Sequence, residues 1–271
     1  MRIVFLLVLA ATCKASSPDI RVVSDFGVQP ADIIAVTRSA ATTIWRHCPD
    51  TRLVGPGIDI FRNNHPVAVH ERSAEGRVRV GLATEKTYWS QYAFQFAHEL
   101  THVLARHTRE PARAGYREHR PNLWLEESIC ETASLFALRA MAKEWEQQAP
   151  YPNWSSYAPS LSGYAQQRLE ASWKVLAKDK PIGPWLKIHE PAMRKDSVIR
   201  DFNNVIAARL LPIFEAEPSG WEAVGYLNLG KRGNEVRLSL ADHLADWRNA
   251  CPPKHRPFVT RLAAALEVRL K

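Results

Sequence analysis

The sequence lacks an apolar run long enough to cross a membrane, and it also lacks internal repeats and a glycine-rich phosphate-binding loop. Its longest apolar stretch covers the nine residues 3–11, whereas a membrane helix needs roughly 20. The basic residues are scattered and do not combine with aromatic residues into a nucleic-acid-binding module. We therefore expect no stable membrane span and no nucleic acid among the partners.

Residues 1–15 have the pattern of a signal peptide. Arg2 provides a charged start, residues 3–11 form the apolar core, and Cys13-Lys14-Ala15 form a small-x-small cleavage site. This pattern predicts a secreted or periplasmic protein. Removing Arg2 and Lys14 lowers the formal net charge from +8 to +6, and a basic surface suits the anionic surroundings of a cell envelope.

Cysteine is scarce, with four residues in the chain and three after removal of the leader. Export permits disulfides. Cys48 and Cys251 both precede proline at predicted helix ends, so we predict a bridge between them. Cys130 lies in an apolar helical run, where we expect a buried free thiol.

The most informative motif is His-Glu-x-x-His at residues 98–102, within a segment of helical apolar spacing at 88–107. Residues four apart lie on the same helix face, so His98 and His102 could bind one zinc ion through their imidazoles. Glu99 lies about 100° round the helix, beside the metal without being a ligand. This arrangement is typical of metallohydrolases, in which the glutamate accepts a proton from water.

A catalytic zinc takes three protein ligands and keeps one position open. The second helical run, residues 121–136, supplies Glu126, Glu127 and Glu131 among apolar residues. Glu127 and Glu131 share a helix face, where their like charges repel unless a cation or an imidazole lies between them. The residues by themselves leave Glu126 and Glu127 as alternatives for the third ligand.

Residues 78–140 resemble the gluzincin zinc metallopeptidases, the thermolysin and aminopeptidase-like group. The resemblance aligns Trp124-Leu125-Glu126-Glu127 with the family's Asn-Glu element. It implies that His98, His102 and Glu127 bind zinc, while Glu126 stands where the family has asparagine. It also implies that Glu131, where thermolysin-like sequences have aspartate, supports a zinc histidine from its other ring nitrogen.

Two other zinc patterns fit less well. A metzincin would need glycine and histidine where this chain has Ala105 and Thr108, and His107 is one residue early. We interpret His107 as an exposed residue at the end of a helix. A peptide deformylase would need an upstream ligand cysteine in a Gly-Cys-Leu context, which Cys48 does not have.

The predicted fold class is α+β and gluzincin-like. A small mixed sheet with the active-site helix occupies residues 16–143, and a mainly helical lobe occupies residues 144–271. We predict strands at 20–23, 58–61, 67–70 and 78–82 and a helix at 31–47. The lobe should contain helices at 163–177, 184–189, 197–215, 221–229, 238–250 and 257–270.

The predicted function is an exported zinc-dependent peptidase with Glu99 as general base and a peptide or protein as substrate. The strand at 78–82 is expected to pair with the substrate, and an aromatic loop at 150–159 to wall the cleft. The alternatives are a non-catalytic exported zinc-binding protein of the envelope and a zinc amidase acting on peptidoglycan peptides. Oxyanion stabilisation could come from any of several residues, of which Tyr151 and Tyr157 are preferred: Tyr151, Tyr157, Tyr164, His189, Tyr226 and His243.

Overall fold

The structure is a computed structural model that describes residues 17–48, 55–65, 67–69, 72–106, 121–230 and 238–270. The predicted signal peptide and His107 lie outside these residues. No helix of the described part is both long and apolar enough to span a membrane. The chain forms a small sheet near its N-terminus and is otherwise mostly helical, which is the mixed class expected from the sequence.

The sheet has four strands in the order β1-β2-β4-β3, with β1 at Ile20–Val22, β2 at Ile58–Arg62, β3 at Val67–Val69 and β4 at Val78–Leu82. β1, β2 and β4 are parallel, and β3 runs antiparallel to β4. All four strands were predicted to within one residue at either end. The alternation of Val78, Val80 and Leu82, all buried, explains why β4 could be recognised.

The prediction that β4 pairs with a substrate is wrong. β2 is bonded to one side of β4 along its whole length, and β3 is bonded to the other side over residues 79–81. The backbone donors and acceptors of β4 are therefore already used. The outer strand on that side is β3.

Three helices form the framework behind the sheet. α1 is Pro30–Trp45, α2 is Trp89–Leu104 and α3 is Leu123–Gln148. α1 begins with proline at its first position, where the missing N–H costs no hydrogen bond. α2 buries aromatic residues at helical spacing, Trp89, Tyr92 and Phe96. α3 packs against α1, α2 and the helices that follow, and buries apolar groups nearly all round, so it is the central helix of the molecule.

The second half is helical, as predicted. A 3₁₀ turn at Pro152–Tyr157 precedes α4, and later 3₁₀ turns lie at Pro218–Gly220 and Pro253–His255. The helices are α4 Ala158–Val175, α5 Ile182–Lys195, α6 Arg200–Ala216, α7 Trp221–Val224, α8 Leu240–Ala250 and α9 Arg256–Ala265. α3 continues past Lys143, the predicted end of the N-terminal part, so one helix belongs to both parts.

Two local predictions need correction. The aromatic segment 150–159 is not a loop: prolines at 152 and 159 begin a 3₁₀ turn and the first turn of α4. The predicted disulfide is also wrong, because no bond joins Cys48 to Cys251. The Cys48 thiol faces the carbonyl of Ile44, and the Cys251 thiol faces that of Ala223.

Candidate metal centre

The candidate site lies where α2 and α3 pack against each other in opposite directions. The Ser134 hydroxyl of α3 donates to the carbonyl of Phe94 on α2, and Glu127 contacts His98 and His102 further along the pair. This antiparallel register brings the His-Glu-x-x-His turn of α2 against the first turns of α3. The two motifs recognised separately in the sequence therefore meet in one place.

One oxygen of Glu127 faces both histidines. Its Oε2 atom lies 3.3 Å from Nε2 of His98 and 3.5 Å from Nε2 of His102. In a tetrahedral zinc site with ordinary Zn–N and Zn–O bonds, neighbouring ligand atoms lie about 3.3 Å apart. These two distances match the spacing between neighbouring ligand atoms in such a site, and the donor chemistry of the three residues fits zinc.

His102 is held from its other side by Glu126. Nδ1 of His102 and Oε1 of Glu126 are 2.7 Å apart, and the Asn228 side chain donates to Oε2 of Glu126 at 2.8 Å. Asn228 also donates to the carbonyl of Ala105 at the end of α2. A proton on Nδ1 leaves the lone pair of Nε2 directed at Glu127. The family alignment left Glu126 without a role, and Asn228 was not predicted at all.

Glu131 lies beside the other histidine, as predicted, but at a longer distance. Its Oε1 atom is 3.9 Å from Nδ1 of His98, which is beyond hydrogen-bond reach. Its Oε2 atom is buried and has no hydrogen-bond partner within the described residues. His98 is therefore oriented less firmly than His102.

A second grouping around the same histidines includes a thiol. Ligand atoms of His98, His102 and Cys130 all lie within 4.8 Å of one another, so these three residues could also hold a metal ion. Cys130 lies one turn after Glu127 on α3 and is completely buried. Burial raises the pKa of its thiol. A thiolate is a strong zinc ligand, so Glu127 and Cys130 are rival third ligands.

The electrostatics of the site are those of a buried cluster of acidic and imidazole side chains. Burial lowers the pKa of His98, but the hydrogen bond to Glu127 and the charges of Glu99 and Glu131 raise it above its usual value overall. The pKa of His102 also rises, because Cys130 and Glu127 outweigh its burial.

Burial raises the pKa of Glu127, yet His102 and His98 bring it well below the usual range. Three carboxyl groups, those of Glu126, Glu127 and Glu131, lie beside the two imidazoles, and the charge of Glu99 also acts on His98. A cluster of this kind favours a bound divalent cation.

Glu99 is buried on the same turn as His98, and its charge is one cause of the raised pKa of that histidine. Its charge therefore reaches His98, whereas the carboxylate in contact with the Nε2 atoms of both histidines is that of Glu127. This position is consistent with a proton-accepting role at the edge of the metal centre.

Tyr151 and Tyr157, which the sequence analysis preferred for oxyanion stabilisation, do not lie at the candidate site. Ser90, at the start of α2, donates to the Tyr157 hydroxyl from both its N–H and its Oγ, at 3.3 Å. Ser90 precedes His98 by eight residues, or about 12 Å of helix. Tyr151 packs on Trp154, and His189 packs between Trp185 and Phe202.

The other candidates for this role differ in position. His243 is buried on α8. Tyr164 packs edge-on against Phe94, one turn before His98, and Tyr226 precedes Asn228 by two residues. Tyr164 is linked to the candidate site through its contact with Phe94. Tyr226 is linked to it through its neighbour Asn228, which is bonded to Glu126.

Comparison with protein-family models, with curated protein sequences and with solved structures finds no match to this chain. The interpretation of the site therefore depends on the geometry above and on the motif residues.

Proposed function

We propose that the protein is a zinc-dependent peptidase of the gluzincin type, with His98, His102 and Glu127 as zinc ligands. The observation that supports this most strongly is the position of one Glu127 oxygen, 3.3 and 3.5 Å from the two Nε2 atoms. Three protein ligands leave one position of a tetrahedral zinc open, as hydrolysis requires.

In this proposal, zinc would supply Lewis acidity that activates water and polarises the scissile carbonyl. Glu99 accepts the proton of the attacking water at its carboxylate and passes it to the leaving amine. Glu126 keeps the proton of His102 on Nδ1, so that Nε2 stays available as a ligand. Asn228 fixes Glu126 in turn.

The outer strand of the sheet is the proposed substrate edge. β3 pairs with β4 on one side only, and no strand of the described residues pairs with its other side. We expect an extended peptide to add to β3 through main-chain hydrogen bonds. The leader pattern and the basic charge support an exported enzyme, for which envelope proteins and peptidoglycan peptides are both candidate substrates.

The test compares zinc-loaded wild type with Glu99→Gln on internally quenched peptides and on cross-linked muropeptides. We expect wild type to cleave amide bonds, and Glu99→Gln to keep zinc but lose about 10²–10⁴-fold in rate, because the proton acceptor is gone. Cleavage of muropeptides alone would favour the amidase. Zinc-loaded wild type that cleaves neither class would contradict the peptidase proposal.

A second candidate function is that of a non-catalytic zinc protein, and the Cys130 grouping favours it. If Cys130 and Glu127 both bound the metal with the two histidines, zinc would have four protein ligands. Such a closed site is structural, because no position remains for water. Loss of zinc in both Glu127→Ala and Cys130→Ser, with no cleavage of either substrate class by zinc-loaded wild type, would support this function.

A further inference from the structure

One arginine near the metal centre has unused hydrogen-bonding groups. Arg168 lies on α4, and its guanidinium carbon is 5.0 Å from the centre of the Phe94 ring. Tyr164, one turn earlier on α4, packs edge-on against the same ring at 5.6 Å. The two side chains share a face of α4 and meet α2 at Phe94.

Phe94 connects this pair to the candidate site. It precedes His98 by four residues, so the two side chains are neighbours on one face of α2. Helix α3 runs past both Phe94 and His98, since Ser134 donates to the Phe94 carbonyl and Glu127 contacts His98. Arg168 therefore flanks the turn of α2 that precedes the first metal ligand.

The unused groups of Arg168 are Nε and Nη2, which are buried and have no hydrogen-bond partner in the described part of the chain. A buried charged donor without a partner is costly. These two nitrogens form the edge of the guanidinium that binds a carboxylate with two parallel bonds. Arg21 uses the same edge on Asp59, at 2.9 and 3.1 Å.

Other arginines of the described core do have such partners. Arg77 is more deeply buried than Arg168 and is bonded to Asp59, Asp19 and backbone carbonyls. Arg168 is only half-buried as a residue, so part of its side chain is accessible. The acceptor that matches its free edge is absent from the described residues.

We propose that Arg168 binds a carboxylate of the substrate, which makes this a site for peptides with a free C-terminus or an acidic residue beside the scissile bond. The inference rests on the proposed peptidase function. Because Nε and Nη2 are covered in this conformation, the long side chain rotates when the carboxylate binds. Phe94 and Tyr164 then form the apolar wall next to it.

The test measures binding, so that it does not depend on turnover. Zinc-loaded protein with Glu99→Gln is titrated calorimetrically with N-acetylated dipeptides of alanine and phenylalanine, each as free carboxylate and as C-terminal amide. A separate N-acetylated pair with aspartate or asparagine beside the C-terminal amide covers the acidic-residue case. We expect the carboxylate forms to bind at least about tenfold more tightly, as a charged bidentate contact should.

Three further substitutions are made in the same background. Arg168→Gln should abolish the preference for carboxylate, and Arg168→Lys should keep only part of it, because lysine lacks the two-pronged geometry. Lys174→Gln, which removes the same charge from an exposed position on α4, should keep the full preference. A partial carboxylate preference in Arg168→Lys would show that the loss of this preference in Arg168→Gln is not caused by misfolding.

Equal binding of acids and amides, no binding of any dipeptide, or an undiminished preference in Arg168→Gln would overturn the inference. Zinc content is measured on the same samples, which separates the two proposals. A zinc-loaded protein without carboxylate preference contradicts only the role of Arg168. A protein that cannot be loaded with zinc contradicts the proposed function as well.

Discussion

His102 contacts two consecutive glutamates of α3, one at each ring nitrogen. Glu126 lies 2.7 Å from Nδ1, and Glu127 lies 3.5 Å from Nε2. Consecutive helical residues point about 100° apart, which lets one helix reach both edges of an imidazole that stands between them. In the proposed zinc site, the Glu126 carboxylate would thus orient the ring and the Glu127 carboxylate would bind the metal.

This division predicts unequal effects of two similar substitutions. Glu126→Ala should weaken zinc binding about 10–100-fold, as loss of a carboxylate behind a ligand histidine usually does. Glu131→Ala should have a smaller effect, because its oxygen is 3.9 Å from His98 Nδ1 and makes no hydrogen bond to it. Competition with a chelator measures both dissociation constants, and a larger loss in Glu131→Ala would contradict this description.

At the residue scale, the residues of the candidate site that lie within short motifs could be proposed from the sequence, and the structure brings them together. His98, Glu99 and His102 follow from one helical turn, and Glu127 followed from the resemblance. The role of Glu126 was missed because the family has an amide there, although its place next to Glu127 was a usable signal. Asn228 lies 102 positions after Glu126, and no local pattern connects them.

At the scale of elements, a buried ion cluster holds the first strands together. Asp59 of β2 accepts from Nε and Nη2 of Arg21 on β1 and from Nε of Arg77, just before β4. Arg77 also donates to the backbone carbonyls of Asp19 and Ile58. One carboxylate therefore links the three parallel strands whose last member, β4, leads into α2.

Asp59→Asn should lower the free energy of unfolding by about 3 kcal/mol at pH 7, since it leaves the buried Arg77 with too little negative charge. The exposed Asp179→Asn serves as the control and should change it little. Urea unfolding of the three proteins measures the difference. A loss as small in Asp59→Asn as in the control would contradict the structural role of the cluster.

The difference in unfolding free energy between wild type and Asp59→Asn should also depend on pH. Burial raises the pKa of Asp59, but hydrogen bonds from Arg21 and Arg77 lower it below its usual value overall. A carboxyl whose pKa is depressed in the folded state stabilises the protein above its unfolded pKa of about 3.9. The advantage of wild type over Asp59→Asn should therefore be constant from pH 7 to 5 and should shrink as the pH falls further.

Strands and helices were predictable because their apolar periodicity is strong, as Val78, Val80 and Leu82 illustrate. Which strands pair with each other was not predictable. Nothing in residues 78–82 indicates that β3 returns to cover the free side of β4, because pairing partners are set by the chain reversal between them. The segment 150–159 was misread for a related reason: its prolines suit a loop and the first turn of a helix equally well.

At the scale of the whole molecule, the candidate site lies between the helix that follows the sheet and the central helix of the fold. His98 and His102 come from the helix that follows the sheet, whereas Glu127 and Cys130 come from the central helix α3, on which α4 and α6 pack. A metal bound between α2 and α3 would stabilise the contact between these two helices. The mixed class was predictable from the order of strand and helix patterns, but the central position of α3 was not.

The most direct test of the account is the zinc content of the purified protein after loading and removal of excess metal, compared with Glu127→Ala and Cys130→Ser. We predict about one zinc per chain in wild type and in Cys130→Ser, as the three-ligand site implies, and loss of zinc in Glu127→Ala. Zinc retained by Glu127→Ala but lost from Cys130→Ser would contradict the assigned ligands. A wild-type protein that binds no zinc would contradict the metal centre itself.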